Sequence, residues 1–191
     1  MMSNALIVVD VQEGFHDPFW GERNNPQCEA NVELLLRTWR EHDLPVVLVR
    51  HDSTSPTSPL RPEQPGNNFM PFVEGTHSLL ITKSVNSAFY GNPDLDGWLR
   101  EQGITEVTIC GITTNHCCET TARMAGNLGY DVTFVIDATA TFARTDATGR
   151  VFTGEELAAV TAANLDGEFA TVRTTNEVIA SLQSPQMHRR L

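Results

Sequence analysis

Three side chains suited to nucleophilic catalysis stand at or just beyond the ends of separate apolar runs. Asp10 follows Ala5-Leu6-Ile7-Val8-Val9, Lys83 follows Leu79-Leu80-Ile81-Thr82, and Cys117 lies beyond Val107-Thr108-Ile109-Cys110 and a turn starting at Gly111. The segment Thr108–Arg123 reads as a buried strand, a tight turn and a helix beginning around Cys117. Backbone N–H groups at a helix start lack intrahelical partners, and the dipole there favours negative charge. A thiol in that setting is expected to ionise readily, which makes Cys117 a candidate nucleophile. Asp10 is the candidate base that takes the thiol proton and later protonates the leaving group. Lys83 is the candidate cation that lowers the thiol pKa and pairs its charge with Asp10. It is the only lysine among thirteen basic residues. The turn Gly111-Ile112-Thr113 offers backbone donors to an oxyanion, with the N–H groups of Thr113 and Cys117 as candidates. Such a donor contributes about 10²–10³ in rate.

Each of these residues also has a plainer reading. Free cysteine is commonly buried and inert, a strand-end aspartate can cap a backbone N–H, and a strand-end lysine can simply be solvated. Neighbours on a helix point about 100° apart, so only one of Cys117 and Cys118 can face a pocket. A redox role for the vicinal pair is the less natural alternative, since redox dithiols are usually spaced Cys-x-x-Cys.

Around these positions, Phe15, Trp20, Phe89 and Phe142 flank strand ends and are candidate walls of an apolar pocket. Asn86 and Ser87, just after Lys83, are candidate hydrogen-bonding contacts to a substrate, and His116 adjoins the nucleophile. His42, His51, His77 and His116 are scattered and form no ligand pair at zinc spacing. His51, beside Asp52, reads as part of a solvated loop. No metal and no cofactor is assigned.

The elements that must position these residues follow from the hydrophobic pattern. Strand-length apolar runs alternate with helical spacing, the mark of a parallel α/β domain. The runs are Ala5–Val9, Pro45–Val49, Leu79–Thr82, Val107–Cys110, Val132–Ile136 and an edge-like Phe169–Val172. Val32, Leu35, Leu36 and Trp39 recur at helical spacing. Asn92-Pro93 reads as an N-cap and first helical position. Thr153 and Glu156 have capping-box spacing, and a short helix follows from Thr175. The Pro-, Ser- and Asn-rich stretch from His51 to about Gly75 is long for a loop in a compact domain, which points to function or disorder. In open parallel sheets ligands bind outside the carboxyl ends of the strands. Asp10, Lys83, the turn before Cys117 and Asp137 all fall at such ends.

Composition bounds the rest. The chain has 191 residues, 40% hydrophobic and 19% charged, which fits one globular domain over 1–191. A net charge of −11 argues against a nucleic-acid partner. No apolar run has the length of a membrane span, and no N-terminal segment has the pattern of a signal peptide. Four cysteines without zinc or small-scaffold disulfide spacing fit reduced thiols and a cytoplasmic setting.

Three separated motifs, in order, carry a resemblance: Ala5-Leu-Ile-Val-Val-Asp10-Val-Gln-Glu-Gly-Phe15, Lys83-Ser-Val-Asn-Ser-Ala-Phe89 and Gly111-Ile-Thr-Thr-Asn-His-Cys117. Over nearly its whole length the chain resembles the isochorismatase-like cysteine hydrolases, which include nicotinamidases, N-carbamoylsarcosine amidases and ureido-amide hydrolases. The resemblance implies a three-layer α/β/α fold with a six-stranded parallel sheet in the order 3-2-1-4-5-6. It implies an Asp10–Lys83–Cys117 triad, a cis peptide between Ile112 and Thr113 that aims the oxyanion donors, a homo-oligomer and a small-molecule substrate. Nicotinamidase-type members bind a metal through Asp-x-His after the second strand. Here the matching stretch is Asp52-Ser53-Thr54, with threonine in place of histidine. The expected activity is metal-independent hydrolysis of a C–N bond in a small linear amide, carbamoyl or ureido compound through a thioester. The alternatives are vinyl-ether hydrolysis of the isochorismatase type, which can do without the cysteine, and a non-catalytic ligand-binding or interaction relative.

Overall fold

The first apolar run buries side chains on both of its faces, and the sheet grows outward from it. The computed structural model describes residues 4–183. Its strands are β1 (Asn4–Val9), β2 (Val46–His51), β3 (Leu79–Lys83), β4 (Glu106–Ile112) and β5 (Asp131–Ala140), then β6 (Arg144–Thr145), β7 (Val151–Phe152) and β8 (Thr171–Arg173). Six of them form one sheet in the order β3-β2-β1-β4-β5-β8, and every pairing in it is parallel. β6 and β7 form a separate antiparallel hairpin. The main sheet is therefore the expected one, with β8 as its sixth strand in chain order.

The helices are α1 (Cys28–Glu41), α2 (Leu95–Glu101), α3 (Glu119–Asn127), α4 (Gly154–Leu165) and α5 (Thr175–Gln183). Leu6 and Val8 of β1 pack into a layer with Leu35, Leu36 and Trp39 of α1 and Val178 of α5. Ala5, Ile7 and Val9 face the other way, toward Leu95 and Leu99 of α2, Ala122 and Ala125 of α3, and Leu165 of α4. A strand covered on both faces needs apolar residues at consecutive positions, which is why these runs are continuous rather than alternating. Each fully buried Leu or Ile contributes about 1.5–3 kcal/mol relative to exposure. No helix among the described residues is long and apolar enough to cross a membrane.

Several local expectations need correction. Asn92–Pro93 is a cis peptide, and Asp94 caps α2 instead, its Oδ1 accepting from Asp96 N at 3.1 Å. β5 runs four residues beyond Ile136, through a register irregularity against β4. Asp137 is therefore not at a strand end. Its Oδ1 accepts from Thr175 N and Oγ1 at 2.7 and 2.8 Å and fastens the start of α5. The α4 capping box is present, with Thr153 and Glu156 each bonding the other's backbone N–H at 3.1 and 2.9 Å. The 51–75 stretch is a structured loop with two short 3₁₀ turns at Pro65–Asn67 and Pro71–Val73.

Candidate active site

β3, β2 and β1 are neighbours in the sheet, so residues at their carboxyl ends arrive side by side. His51 and Lys83 are register partners, and Asp52 N donates to Lys83 O at 2.7 Å. Asp10 follows β1 directly, with its N–H donating to Val49 O at 2.9 Å. Lys83 Nζ donates to Asp10 Oδ2 at 2.6 Å and to His51 Nδ1 at 3.1 Å. The Asp10 and Lys83 side chains are entirely shielded from solvent. Burial opposes the charge on Lys83, but the Asp10 carboxylate and Cys117 outweigh it, and the ammonium titrates above its ordinary value.

Asp10 has a backbone φ of +53°, uncommon for a non-glycine residue. Its carbonyl accepts from Gln12 N at 2.8 Å, which holds this conformation together with the Val49 bond. Asp10 Oδ1 is buried and has no hydrogen-bond partner. A buried acceptor left open is costly unless something donates to it during function. A carboxylate oxygen of Asp10, a ring nitrogen of His51 and the Cys117 sulfur all lie within 4.8 Å of one another.

The turn that carries Cys117 is built by glycine and by threonine hydroxyls. Gly111 has φ +126°, and a Cβ there would fall 2.0 Å from Val9 O. Only glycine lets β4 approach β1 this closely in that conformation. The next peptide but one, Ile112–Thr113, is cis. Thr114–Cys118 then form a single π-type turn ahead of α3, with His116 N and Cys118 N both donating to Thr113 O. Thr114 Oγ1 donates to Thr139 Oγ1 at 2.9 Å, and Thr141 Oγ1 to Asn115 Oδ1 at 2.5 Å, so the turn is pinned to β5. Cys117 sits inside this turn rather than at the mouth of an α-helix. Burial, and after it the Asp10 carboxylate, push its thiol well above the ordinary value, and Lys83 offsets only part of this. The expectation of a lowered thiol pKa is not met: the shift runs upward. Cys118 is completely buried in the core beneath.

The pocket residues fare differently. Asn86 is exposed beside Cys117, whose Sγ donates to its Oδ1 at 3.7 Å. Ser87 is buried and its Oγ is taken up locally by Phe89 N at 3.2 Å. His116 is half-buried, and burial followed by the nearby Arg144 charge lowers its pKa. The four aromatics do not form one wall. Phe15, Trp20 and Phe142 cluster at 4.9–6.1 Å between centroids against the α1 and α5 layer. Phe89 stacks on Tyr130 at 6.0 Å in the opposite layer, the one that contains Cys117.

His51 is the residue the sequence reading left in a solvated loop, and the structure places it in the site. It is the last residue of β2, half-buried, with Nδ1 also 4.0 Å from Asp10 Oδ2. Strand parity is the available signal, since His51 continues Val47 and Val49, the positions that face the layer containing Cys117. Burial, then the Lys83 charge, lower its pKa, which favours the neutral ring.

The donor set does not fit the metal site of nicotinamidase-type relatives. The Asp52 carboxylate is held by Arg50 at 2.9 and 3.3 Å and by Asn67 at 3.0 Å, and Thr54 is exposed. Asp10, His51 and Cys117 are close enough together to ligate a cation. The Lys83 ammonium already supplies a positive charge between two of them.

The sequence and the fold both have known relatives. Residues 4–177 match the isochorismatase domain model. The chain is 41% identical to the isochorismatase family protein YrdC of Bacillus subtilis over 176 residues, covering 92% of this chain and 94% of the relative. It is 31% identical to Nicotinamidase 3 of Arabidopsis thaliana, covering 93% and 88%. A crystal structure of an isochorismatase-family hydrolase from Chromobacterium violaceum superposes with a TM-score of 0.89 at 40% identity, covering 95% of this chain and 94% of that one. The chain belongs to the isochorismatase family of hydrolases.

Proposed function

We propose that the protein is a metal-independent cysteine hydrolase that cleaves the C–N bond of a small linear amide, carbamoyl or ureido compound through a thioester on Cys117. One observation carries this reading: the Asp10–Lys83 pair is buried, Asp10 Oδ1 has no partner, and a carboxylate oxygen of Asp10 lies within 4.8 Å of the Cys117 sulfur. Asp10 takes the thiol proton as sulfur attacks the carbonyl carbon, and Lys83 stabilises the negative charge that develops. The N–H groups of Thr113 and Cys117 receive the oxyanion. Asp10 returns the proton to the leaving nitrogen as the C–N bond breaks. Water then attacks the thioester, giving a proton to Asp10, and as the C–S bond breaks to release the acid or carbamate Asp10 passes that proton to the departing sulfur, which restores the thiol and the carboxylate. The raised thiol pKa supports proton transfer coupled to attack over a standing thiolate. The likeness to a nicotinamidase supports an amide over an ether.

Mass spectrometry of the intact protein after exposure to a panel of small amides and ureides tests the reading. The expected result is an acyl or carbamoyl adduct on Cys117, absent from Cys117→Ala, with the released amine detected in solution. A substrate turned over equally well by Cys117→Ala overturns it in favour of vinyl-ether chemistry driven by Asp10 and Lys83.

A further inference from the structure

The Lys83 ammonium has three N–H donors and no acceptor. One goes to Asp10 Oδ2 at 2.6 Å and a second to His51 Nδ1 at 3.1 Å, and the charge of the same ammonium is coupled to Cys117. Asp10 and Cys117 change protonation during the proposed reaction, whereas His51 is a spectator at a fixed place on the neighbouring strand. The ring is anchored from its backbone: His51 N donates to Gln12 Oε1 at 2.8 Å, and His51 O accepts from Gln12 Nε2 and Asn67 Nδ2, both at 3.1 Å. Because Lys83 can only donate, His51 Nδ1 must be the accepting nitrogen, and the neutral ring carries its proton on Nε2.

We propose that His51 is a positioning residue for this site: its Nδ1 holds the Lys83 ammonium in the one rotation that keeps an N–H on Asp10 and turns the third toward the Cys117 sulfur. Without that acceptor a buried ammonium N–H has no partner, and the lysine turns away from the sulfur to find one. His51 then acts on Cys117 only through Lys83. The charged groups facing the imidazole are Lys83 from β3, Asp10 from β1 and Asp52 from its own strand's end. Lys83 favours the neutral ring, and the two carboxylates oppose it.

The test is the rate at which iodoacetamide alkylates Cys117 at pH 9, read by peptide fragmentation to separate Cys117 from Cys118, in the native protein and in His51→Leu, His51→Asn and Lys83→Met. His51→Leu is expected to slow alkylation about tenfold, the scale of one hydrogen bond to a charged group. His51→Asn, which can return an acceptor oxygen near Nδ1, restores most of the rate. His51→Leu added to Lys83→Met produces no further slowing. A native rate in His51→Leu overturns the proposal, as does an equal slowing by His51→Leu with and without Lys83. If His51→Leu fails to fold, the additivity of His51→Asn with Lys83→Met decides in the same way. The inference rests on the triad reading, but alkylation needs no substrate. Failure here leaves the acyl-adduct experiment standing, and failure of that experiment leaves this one readable.

Discussion

Lys83 Nζ lies 2.6 Å from Asp10 Oδ2, and neither side chain touches solvent. Removing one partner strands the other as an unpaired buried charge. Lys83→Met is expected to cost about 3–5 kcal/mol of folding stability, and Asp10→Asn combined with Lys83→Met much less than Lys83→Met alone. Urea denaturation with native m-values checks this. The pH dependence has a definite sign. The folded value of Lys83 is raised, so its contribution is complete below the unfolded lysine value, about 10.4. It is lost as pH rises through the folded value. Above about pH 10 the melting temperature of the native protein should fall more steeply than that of the double variant.

Asp10 and Lys83 push the Cys117 thiol in opposite directions. The carboxylate raises its pKa and the ammonium lowers it. Asp10→Asn should therefore speed alkylation of Cys117 at pH 9, and Lys83→Met should slow it, each by about tenfold. Both substitutions should abolish turnover. Reactivity and catalysis thus part company in Asp10→Asn, an outcome that a purely structural role for Asp10 does not produce. Equal changes of the same sign in the two variants would contradict the charge arrangement.

What was legible in the sequence follows from how locally each feature is encoded. Continuous runs such as Ala5–Val9 and Val132–Ile136 mark strands covered on both faces, and Thr153 with Glu156 marks a helix start, because those signals lie within a few residues. Asp10, Lys83 and Cys117 were legible because a parallel sheet gathers its carboxyl ends along one edge. The π-type turn at Thr114–Cys118 was not, since it is held by Thr139 and Thr141, 25 and 26 residues away. His51 was missed for a similar reason. Its surroundings depend on Gln12, 39 residues away, and on Lys83, 32 residues away. Asn92-Pro93 misled because its local chemistry suits a helix start equally well, whereas the structure uses it as a bridge back to Thr82.

Gly111 offers the sharpest stability test. With φ +126° and the carbonyl oxygen of Val9 2.0 Å from any added Cβ, alanine clashes with backbone that cannot move without opening the β1–β4 pairing. Gly111→Ala should destabilise by about 3 kcal/mol or more, or fail to fold. Gly103, with φ +66° and nothing within 4 Å of an added Cβ, is the control. Gly103→Ala carries only the conformational cost, on the order of 1 kcal/mol. Thermal melts of the two variants side by side separate a steric requirement from a conformational one.

Gln12 links the end of β2 to the loop that follows it. It is fully buried, its Oε1 accepts from His51 N, and its Nε2 donates to His51 O and to Asn67 O at 2.9 Å. Asn67 in turn holds Leu60 O at 3.0 Å and Asp52 Oδ1. Gln12→Leu conserves bulk but strands one buried N–H and loosens two carbonyls, a cost of about 2–4 kcal/mol summed over those groups. The loss should be local in its dynamics. Amide hydrogen exchange is expected to accelerate at His51 and across Ser53–Asn68, while α4, which makes none of these bonds, keeps its protection relative to global stability. Gln12→Glu keeps the acceptor for His51 N and loses the donor to His51 O and to Asn67 O. It should leave His51 protected and free only the loop. If Gln12→Leu accelerates exchange uniformly through the sheet, Gln12 supports the whole fold rather than tethering the loop to the site.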